Sequence, residues 1–410
     1  MKKVLLIDDN PAILTFMSKR LQAEAVATLT ASNGTEGLRL VREARPDVVV
    51  LDLMMPGMHG YTLIQEIRNN PELSQIKILV ISAKTYAADV ERTKRLGADR
   101  YLSKPFDLQV FWDTIAELLE EDPPHFTIRF WGARGSIATP GQATVKYGGN
   151  TSCTEVRCGN QLLILDAGTG IRVLGLSLLR EFGQKPIHGH IFVSHTHWDH
   201  IQGFPFFAPA FISGNKFMIY SLHGAEKPLE KVFRGQMDND YFPVLLSDMM
   251  ANLEFRELEA DVNLGEIKVS YIFLNHPGLA IGFRISFAGR TLVYLSDHEN
   301  YARLAPSGPN ANPQDAEIAR FAENADLLIA EAQYTEEEYL QKKGWGHSTF
   351  LDALCLAAQA KVKRLAIFHH DPSHDDAFLD QTLEFCQKTM AERNYTFTCM
   401  MAQEGATIEL

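Results

Sequence analysis

The stretch "FVSHTHWDHIQGFP", residues 192–205, contains three histidines and one aspartate within six consecutive positions. It begins at the end of the apolar run "IFV", which is typical of a buried strand, and glycine and proline follow as turn residues. Imidazole and carboxylate groups are the ligands that borderline divalent metals accept in proteins. The stretch therefore predicts a metal site whose first ligands are His195, His197, Asp199 and His200.

Ligands for a second metal have to come from elsewhere in the chain, because four side chains in one loop cannot complete two sites. We expect each of them to be a histidine or an aspartate just after an apolar strand. Three positions have this pattern: His276 after "VSYIFLN", Asp297 after "TLVYLS" and His369 after "RLAIF". His370 directly follows His369 and is the alternative to it.

This ligand set, with Asp166 in "LLILDAGTG", resembles that of the metallo-β-lactamase fold in its phosphodiesterase and ribonuclease Z branch. The resemblance runs over most of residues 126–410 and implies an αββα sandwich with two divalent metal ions, zinc or manganese. It implies one metal on His195, His197 and His276, the other on Asp199, His200 and His369, and Asp297 as the bridge. Asp166 then supports the histidine loop. An aspartate instead of a cysteine at 297 argues against the branch that cleaves lactams.

Two further motifs, "LLIAEAQY" and "GWGHSTFLDAL", resemble ribonuclease Z motifs that pair a glutamate with a histidine. The resemblance implies that His347 donates a proton to the leaving group and that Glu331 orients it and keeps it protonated. The predicted catalytic residues are thus Asp199, Glu331 and His347. The alternative for His347 is a cap of the helix that begins near Ser348.

For each of the other polar residues near these motifs, the sequence allows two interpretations. Arg134, in the glycine-dense stretch "FWGARGSIATPG", either contacts a phosphate or has a structural role. His298, His370 and His374 either line the pocket or lie behind it.

The first 121 residues have a different texture, in which short apolar runs alternate with amphipathic segments. This alternation predicts a parallel sheet covered by helices on both faces. Polar residues follow the apolar runs and should meet at the carboxyl edge of that sheet: Asp8, Asp9, Asp52, Ser82 and Lys104. Carboxylates there can bind Mg²⁺ and accept a phosphoryl group, while a hydroxyl and an ammonium can hold phosphate oxygens.

These residues, with "DLMMPGMHGYTL" and "GADRYLSKPF", resemble the receiver domain of two-component response regulators. The resemblance implies these roles: Asp52 as phosphoacceptor, Asp8 and Asp9 as Mg²⁺ carboxylates, Ser82 and Lys104 as phosphate contacts, and Tyr101 as the switch aromatic. It also implies a sensor histidine kinase or another phosphodonor as partner. His59 departs from the pattern, where an aspartate is usual. The rivals are a flavodoxin-like domain with incidental acids and a receiver that is never phosphorylated.

The stretch "LEEDPPHF", 119–126, breaks the last helix of this region with charges and two prolines. We therefore predict a flavodoxin-like, doubly wound receiver at 1–121, a linker at 122–125 and a metallo-β-lactamase sandwich at 126–410. Residues 1–121 have a net charge of −2 and the remainder −10. Because nucleic-acid affinity comes mainly from Lys and Arg, we expect no nucleic-acid partner.

Composition limits the class of protein further. We find no run of roughly 20 uncharged apolar residues, as a membrane helix requires. The start "MKKVLLIDDNP" meets two aspartates too early for a signal peptide, and five irregularly spaced cysteines indicate no disulfide framework. We expect a cytoplasmic homodimer that does not bind membranes.

The sequence thus predicts a phosphorylation-regulated, dinuclear-metal phosphodiesterase that hydrolyses a small cyclic nucleotide or a cyclic dinucleotide. Its cofactors would be two divalent ions in the second domain and Mg²⁺ in the receiver. The alternatives are a ribonuclease Z-like endoribonuclease and a metal-binding signalling module with weak catalysis.

Overall fold

The structure, a computed structural model, describes residues 2–70, 73, 75–83, 87–119, 125–222, 227–304 and 313–410. The chain divides into two compact units, Met1–Asp122 and Pro123–Leu410. Residues 122–124 of the predicted linker lie outside the described ranges. In the part of the chain that the structure describes, each helix is too short or too polar to cross a lipid bilayer.

The N-terminal unit is a five-stranded parallel sheet in the order β2-β1-β3-β4-β5. Its strands are β1 (Lys3–Ile7), β2 (Ala27–Ala31), β3 (Val48–Asp52), β4 (Lys77–Ser82) and β5 (Arg100–Ser103). Its helices are α1 (Pro11–Ala23), α2 (Gly34–Ala44), α3 (Gly60–Asn69), α4 (Ala87–Arg95) and α5 (Leu108–Leu119).

Helices cover both faces of this sheet, which confirms the predicted doubly wound fold. Side chains of α2 and α3 pack with Leu5 and Ile7 on one face, and side chains of α1 and α5 pack with Val4 and Leu6 on the other. Successive residues of a strand point to opposite faces, so a strand buried on both sides is apolar throughout.

The C-terminal unit contains two seven-stranded sheets, in the orders β11-β10-β9-β8-β7-β6-β19 and β12-β13-β14-β15-β16-β17-β18. The strands are β6 (Phe126–Gly132), β7 (Cys153–Cys158), β8 (Gln161–Leu165), β9 (His188–Phe192), β10 (Lys216–Ser221), β11 (Asn252–Glu257), β12 (Val262–Leu264), β13 (Ile267–Leu274), β14 (Ala280–Phe287), β15 (Arg290–Leu295), β16 (Leu327–Glu331), β17 (Arg364–Phe368), β18 (Thr398–Met401) and β19 (Thr407–Glu409). The α-helices are α6 (Gly170–Phe182), α7 (Trp198–Ile201), α8 (Leu229–Gln236), α9 (Tyr301–Leu304), α10 (Pro313–Phe321), α11 (Glu336–Lys342), α12 (Phe350–Gln359) and α13 (Asp376–Glu392).

Three apolar layers hold these elements together. One lies between the two sheets, a second lies between the second sheet and α10, α12 and α13, and a third lies between the first sheet and α6 and α8. Strand β16 contributes to two of them, because Leu327 and Ile329 face the first sheet while Leu328 and Ala330 face the helices. The predicted αββα sandwich is therefore confirmed.

The direction of the strands places the polar residues. In the second sheet β12 to β15 pair antiparallel, whereas β15, β16, β17 and β18 run parallel, with helices in the connections. The strand pair β8 and β9 in the other sheet is parallel as well. Polar residues at the carboxyl ends of parallel strands meet at one edge, and this edge is where the predicted ligands lie.

Candidate metal centre

Asp166 organises the histidine loop from the end of β8. Its fully buried carboxylate accepts hydrogen bonds from the Ser194 main-chain N–H (2.7 Å), the Ser194 hydroxyl (2.9 Å) and the Tyr294 hydroxyl (2.6 Å). Its Oδ2 is also 2.8 Å from Nδ1 of His200, which therefore donates to it. These bonds leave Nε2 of His200 free to face the other predicted ligands.

The first ligand group consists of His195, His197, His276 and Asp297, whose ligand atoms all lie within 4.8 Å of one another. Nε2 of His276 is 3.0 Å from Nδ1 of His197. Oδ2 of Asp297 is 3.5 Å from Nε2 of His195 and 3.7 Å from Nε2 of His276.

The second ligand group consists of Asp199, His200, Asp297 and His369, with the same close spacing. Nε2 of His369 is 2.9 Å from Oδ2 of Asp199 and 3.1 Å from Nε2 of His200. Oδ1 of Asp297 is 3.2 Å from Nε2 of His369 and 3.3 Å from Nε2 of His200. Each carboxylate oxygen of Asp297 thus faces one of the two groups.

The hydrogen bonds behind these rings test whether cations fit between them. Nδ1 of His276 donates to the carbonyl of Gly346 (2.9 Å), as Nδ1 of His200 does to Asp166, so both Nε2 atoms offer lone pairs. Nε2 of His195 is buried and has no hydrogen-bond partner among the described residues, so it is a nitrogen that a bound cation would satisfy. Ligands at 2.0–2.2 Å from a tetrahedral ion are about 3.3–3.6 Å apart, which is close to the observed spacing of 2.9–3.7 Å. The residues therefore fit two divalent ions.

The charges of the cluster agree with this fit. Burial raises the pKa of Asp199 and of Asp297, but the neighbouring histidines outweigh it and hold both carboxyls well below their usual range. Burial lowers the pKa of His200, but the carboxylates around it outweigh this effect and raise it. A proton on His200 competes with a metal, so metal affinity should increase with pH.

Two contacts that the sequence analysis did not predict hold these ligands in position. The side-chain amide of Gln333 is 2.8 Å from Nδ1 of His369, which holds that ring by its far nitrogen. The main-chain N–H of Ser136 donates to Oδ2 of Asp199 (2.7 Å). Gln333 could have been found, because it lies two residues after Glu331 and extended chain places alternate residues on one side. The Ser136 contact leaves no signal, since any residue has a main-chain N–H.

Glu331 and His347 lie beside the second ligand group. Oε2 of Glu331 is 3.6 Å from Nδ1 of His347, and the imidazole of His347 stacks on that of His369 with 5.4 Å between ring centres. Burial raises the pKa of Glu331. Burial lowers the pKa of His347, but Glu331 and Asp297 outweigh it and raise it. Thr349, not His347, caps α12, because its hydroxyl accepts from the N–H of Asp352.

Arg134 and the histidines at 298, 370 and 374 lie outside both ligand groups. His370 donates from Nε2 to the carbonyl of Ala402 (2.9 Å), and burial lowers its pKa to about 3, so His369 is the residue that faces the cluster. Nδ1 of His298 accepts from the N–H of Asn275, and Nε2 of His374 is 2.8 Å from Glu338. The guanidinium of Arg134 is fully buried and donates to main-chain carbonyls, which is a structural role: Gly148, Asp371 and His374.

A separate acidic cluster lies at the carboxyl edge of the N-terminal sheet and consists of Asp8, Asp9 and Asp52. Nζ of Lys104 is 2.7 Å from Asp8 and 2.6 Å from Asp52. Burial lowers the pKa of Lys104, but its hydrogen bonds to Asp52 and Asp8 outweigh this effect and raise it. Ser82 ends β4 and is buried, and Tyr101 lies on the neighbouring strand β5. His59 is exposed and makes no side-chain cap for α3.

Comparison with known families identifies a domain in each of the two units. Residues 162–370 match the family model described as a beta-lactamase superfamily domain. This chain belongs to the beta-lactamase superfamily. Residues 4–116 match the response regulator receiver domain, so this superfamily member carries a receiver domain in front of the metallo-β-lactamase fold.

Individual relatives match one of the two domains. The chain is 33% identical over 119 residues to protein PilH of Pseudomonas aeruginosa, a match that covers 29% of this chain and 98% of PilH. It is 41% identical over 105 residues to the probable transcriptional regulator ycf27 of Guillardia theta, which is 26% of this chain but only 40% of that regulator. The metallo-beta-lactamase fold protein YhfI of Bacillus subtilis is 19% identical with a TM-score of 0.47, over 70% of this chain and all of YhfI.

Replacing Gly135 by alanine tests the tight contact behind the ligands of this superfamily member. A Cβ at Gly135 would lie 2.4 Å from Nδ1 of His369 and 2.4 Å from the amide nitrogen of Gln333, so one of them has to move. We expect Gly135→Ala to weaken metal affinity about 10- to 100-fold, the usual effect of disturbing groups behind a ligand. Metal competition with a chelating dye measures this change.

Gly235→Ala is the matched control, because a Cβ there meets nothing within 4 Å. Unchanged metal affinity in Gly135→Ala, with the same folded signal as the control, would contradict the role of this contact.

Proposed function

We propose that this chain is a dinuclear-metal phosphodiesterase that hydrolyses a small cyclic nucleotide or cyclic dinucleotide, under control of phosphorylation at Asp52. One observation carries the proposal: two histidine–aspartate groups share Asp297, and the pair of His347 and Glu331 lies against the second group. The first group would be His195, His197 and His276, and the second Asp199, His200 and His369.

When bound, two divalent ions supply Lewis-acid chemistry and a nucleophile at neutral pH. The protein residues provide position and protons. Asp199 is held by the N–H of Ser136 and His369 by Gln333, so the ligands keep their geometry while the leaving oxygen is displaced from phosphorus. His347 gives its proton to the departing sugar oxygen, and Glu331 orients its ring through the Nδ1 side.

The negative net charge of the C-terminal unit favours a small substrate over RNA. Residues 122–410 have a net charge of −10, whereas proteins that hold long nucleic acids neutralise many phosphates with Lys and Arg. A small cyclic phosphodiester needs neutralisation at one or two phosphates, which the metal cluster can provide.

A substrate panel tests the proposal. Protein loaded with Mn²⁺ or Zn²⁺ is assayed with cyclic mononucleotides, cyclic dinucleotides and a precursor tRNA. We expect turnover of a cyclic substrate and none of the tRNA, and we expect Asp199→Ala to lose that turnover. Cleavage of only the tRNA would favour an endoribonuclease. Equal rates for wild type and Asp199→Ala would reject catalysis at this cluster.

Phosphorylation should change the rate through Asp52. Phosphorylation replaces the single negative charge of the Asp52 carboxylate by about −2 on the phosphoryl group, beside Lys104, which now bonds both Asp52 and Asp8. We expect a small phosphodonor such as acetyl phosphate to change kcat of the wild type about fivefold or more, a common size of coupling between sites. Asp52→Asn should show no change under the same conditions.

Asp113→Asn, an exposed carboxylate of the same unit, is the control for charge alone. The same response in Asp52→Asn as in wild type would contradict phosphorylation of Asp52 as its cause. A sensor histidine kinase is the phosphodonor that we propose for the cell.

A further inference from the structure

The metal cluster has one open edge. Among its ligands, His195 and Asp297 are buried and the side chain of His276 is only 3% exposed, whereas His197 is exposed. His197, whose Nδ1 is 3.0 Å from Nε2 of the buried His276 ring, therefore forms the exposed edge. A substrate that reaches the cluster from solvent meets this edge first.

Large apolar side chains are exposed to solvent at positions adjacent in the chain to candidate ligands or to residues that hydrogen-bond to them. Trp198 is 79% exposed and lies between the ligands His197 and Asp199 in the chain. Trp345 is 61% exposed and precedes Gly346, whose carbonyl accepts from His276. Ile137 is 60% exposed and follows Ser136, whose N–H donates to Asp199. Exposed apolar side chains beside a candidate site are typical of ligand contacts.

The other two tryptophans of the chain are packed, which sets this pair apart. Trp131 is buried and donates from its indole nitrogen to Glu155 (2.8 Å). Trp112 is half-buried beneath the guanidinium of Arg20. The two tryptophans away from the candidate site are thus covered, whereas the two beside it are exposed.

The loop that carries Trp345 is built to hold it in place. Glu299, itself 1% exposed, accepts from the N–H of Gly344 and from the N–H of Gly346, both at 2.8 Å. It also accepts from the hydroxyl of Tyr339 (2.6 Å). Gly344 and Gly346 have φ values of +85° and +91°, a conformation that side-chain-bearing residues rarely adopt. The indole is thus exposed on a fixed loop and not on a loose one.

We propose that Trp345 is the base-recognition residue of this site, where its indole stacks on the heteroaromatic base of the nucleotide. This inference rests on the proposed phosphodiesterase activity. Stacking of a base on an aromatic side chain needs a free ring face and a fixed orientation, and it tolerates different bases. Trp198 contributes a second apolar surface beside His197.

Binding of two related probes isolates the base. Adenosine 5′-monophosphate and ribose 5-phosphate share the sugar and phosphate and differ in the base alone. Calorimetric titration of the metal-loaded protein should give wild type a Kd for ribose 5-phosphate about tenfold or more above that for the nucleotide. In Trp345→Leu this ratio should fall toward one, and in Trp345→Phe, which keeps a ring, most of it should remain.

Phe385→Leu, a half-exposed aromatic on α13, is the control and should keep the wild-type ratio. An unchanged ratio in Trp345→Leu, or equal losses in Trp345→Leu and Trp345→Phe, would overturn the inference. So would a wild-type ratio near one. If wild type hydrolyses no cyclic nucleotide but its ratio collapses in Trp345→Leu, the proposed activity fails and base recognition stands.

Discussion

Asp297→Asn is expected to lower kcat/KM about 10³-fold or more and to reduce bound metal from about two ions per chain to one or fewer. Oδ1 of Asp297 lies within 3.3 Å of Nε2 of His200 and of His369, while Oδ2 faces His195 and His276. The amide has nearly the same shape but carries no charge, and its NH₂ group would point at one of the two groups. Metal analysis and steady-state kinetics on the same preparation measure both effects.

Asp326→Asn is the matched control, because Asp326 is a buried carboxylate of the same sheet outside both ligand groups. It bonds the N–H of Thr291 and the ammonium of Lys363, so its loss should affect stability and leave metal content unchanged. Thermal unfolding establishes that both variants are folded. Full metal content together with wild-type kcat/KM in Asp297→Asn would remove the basis for a shared, dinuclear site.

Much of this centre could be predicted because its ligands obey one simple rule. Asp297 and His369 each follow an apolar strand closely, and strands that end at one edge bring such residues together. The histidine loop adds a dense local motif that few other functions explain. Spacing and strand ends therefore identify candidate ligands that meet in the structure even when they lie 170 positions apart, as Asp199 and His369 do.

The supporting contacts could not be predicted in the same way. Glu299 fixes the loop at 344–346 by accepting from main-chain N–H groups, and Gly346 orients His276 through its carbonyl. Main-chain partners do not depend on residue type, so no motif indicates them. Strand direction could not be predicted for a related reason: periodicity shows which residues are buried, and the helices between β15 and β18 decide the direction.

The small edge strands β11 and β19 could not be predicted from the sequence, because their pairing is distant or their faces are polar. β19 pairs with β6 at Ile408 opposite Ile128, a contact between the two ends of the unit. β11 (Asn252–Glu257) is largely half-buried or exposed and carries three charged residues, so it has little of the apolar signal of a strand.

His347→Ala is expected to lower kcat about 10²- to 10⁴-fold for a substrate whose leaving group is a sugar alkoxide. A p-nitrophenyl phosphodiester should lose much less, because its leaving group departs as a stable anion and needs no proton. His190→Asn is the control for loss of a buried histidine, since His190 bonds Tyr220 and belongs to neither ligand group.

Glu331→Gln tests whether His347 donates a proton or only has a structural role. Glu331 helps to raise the pKa of His347, so a neutral amide should lower it, and His347 should lose its proton at a lower pH. The acid form works below that pKa, so the alkaline fall in kcat with the poor leaving group should move to lower pH in this variant. Equal losses in His347→Ala for both leaving groups, with an unmoved pH profile in Glu331→Gln, would contradict proton donation. The pair would then act on the position of His369, against which His347 stacks.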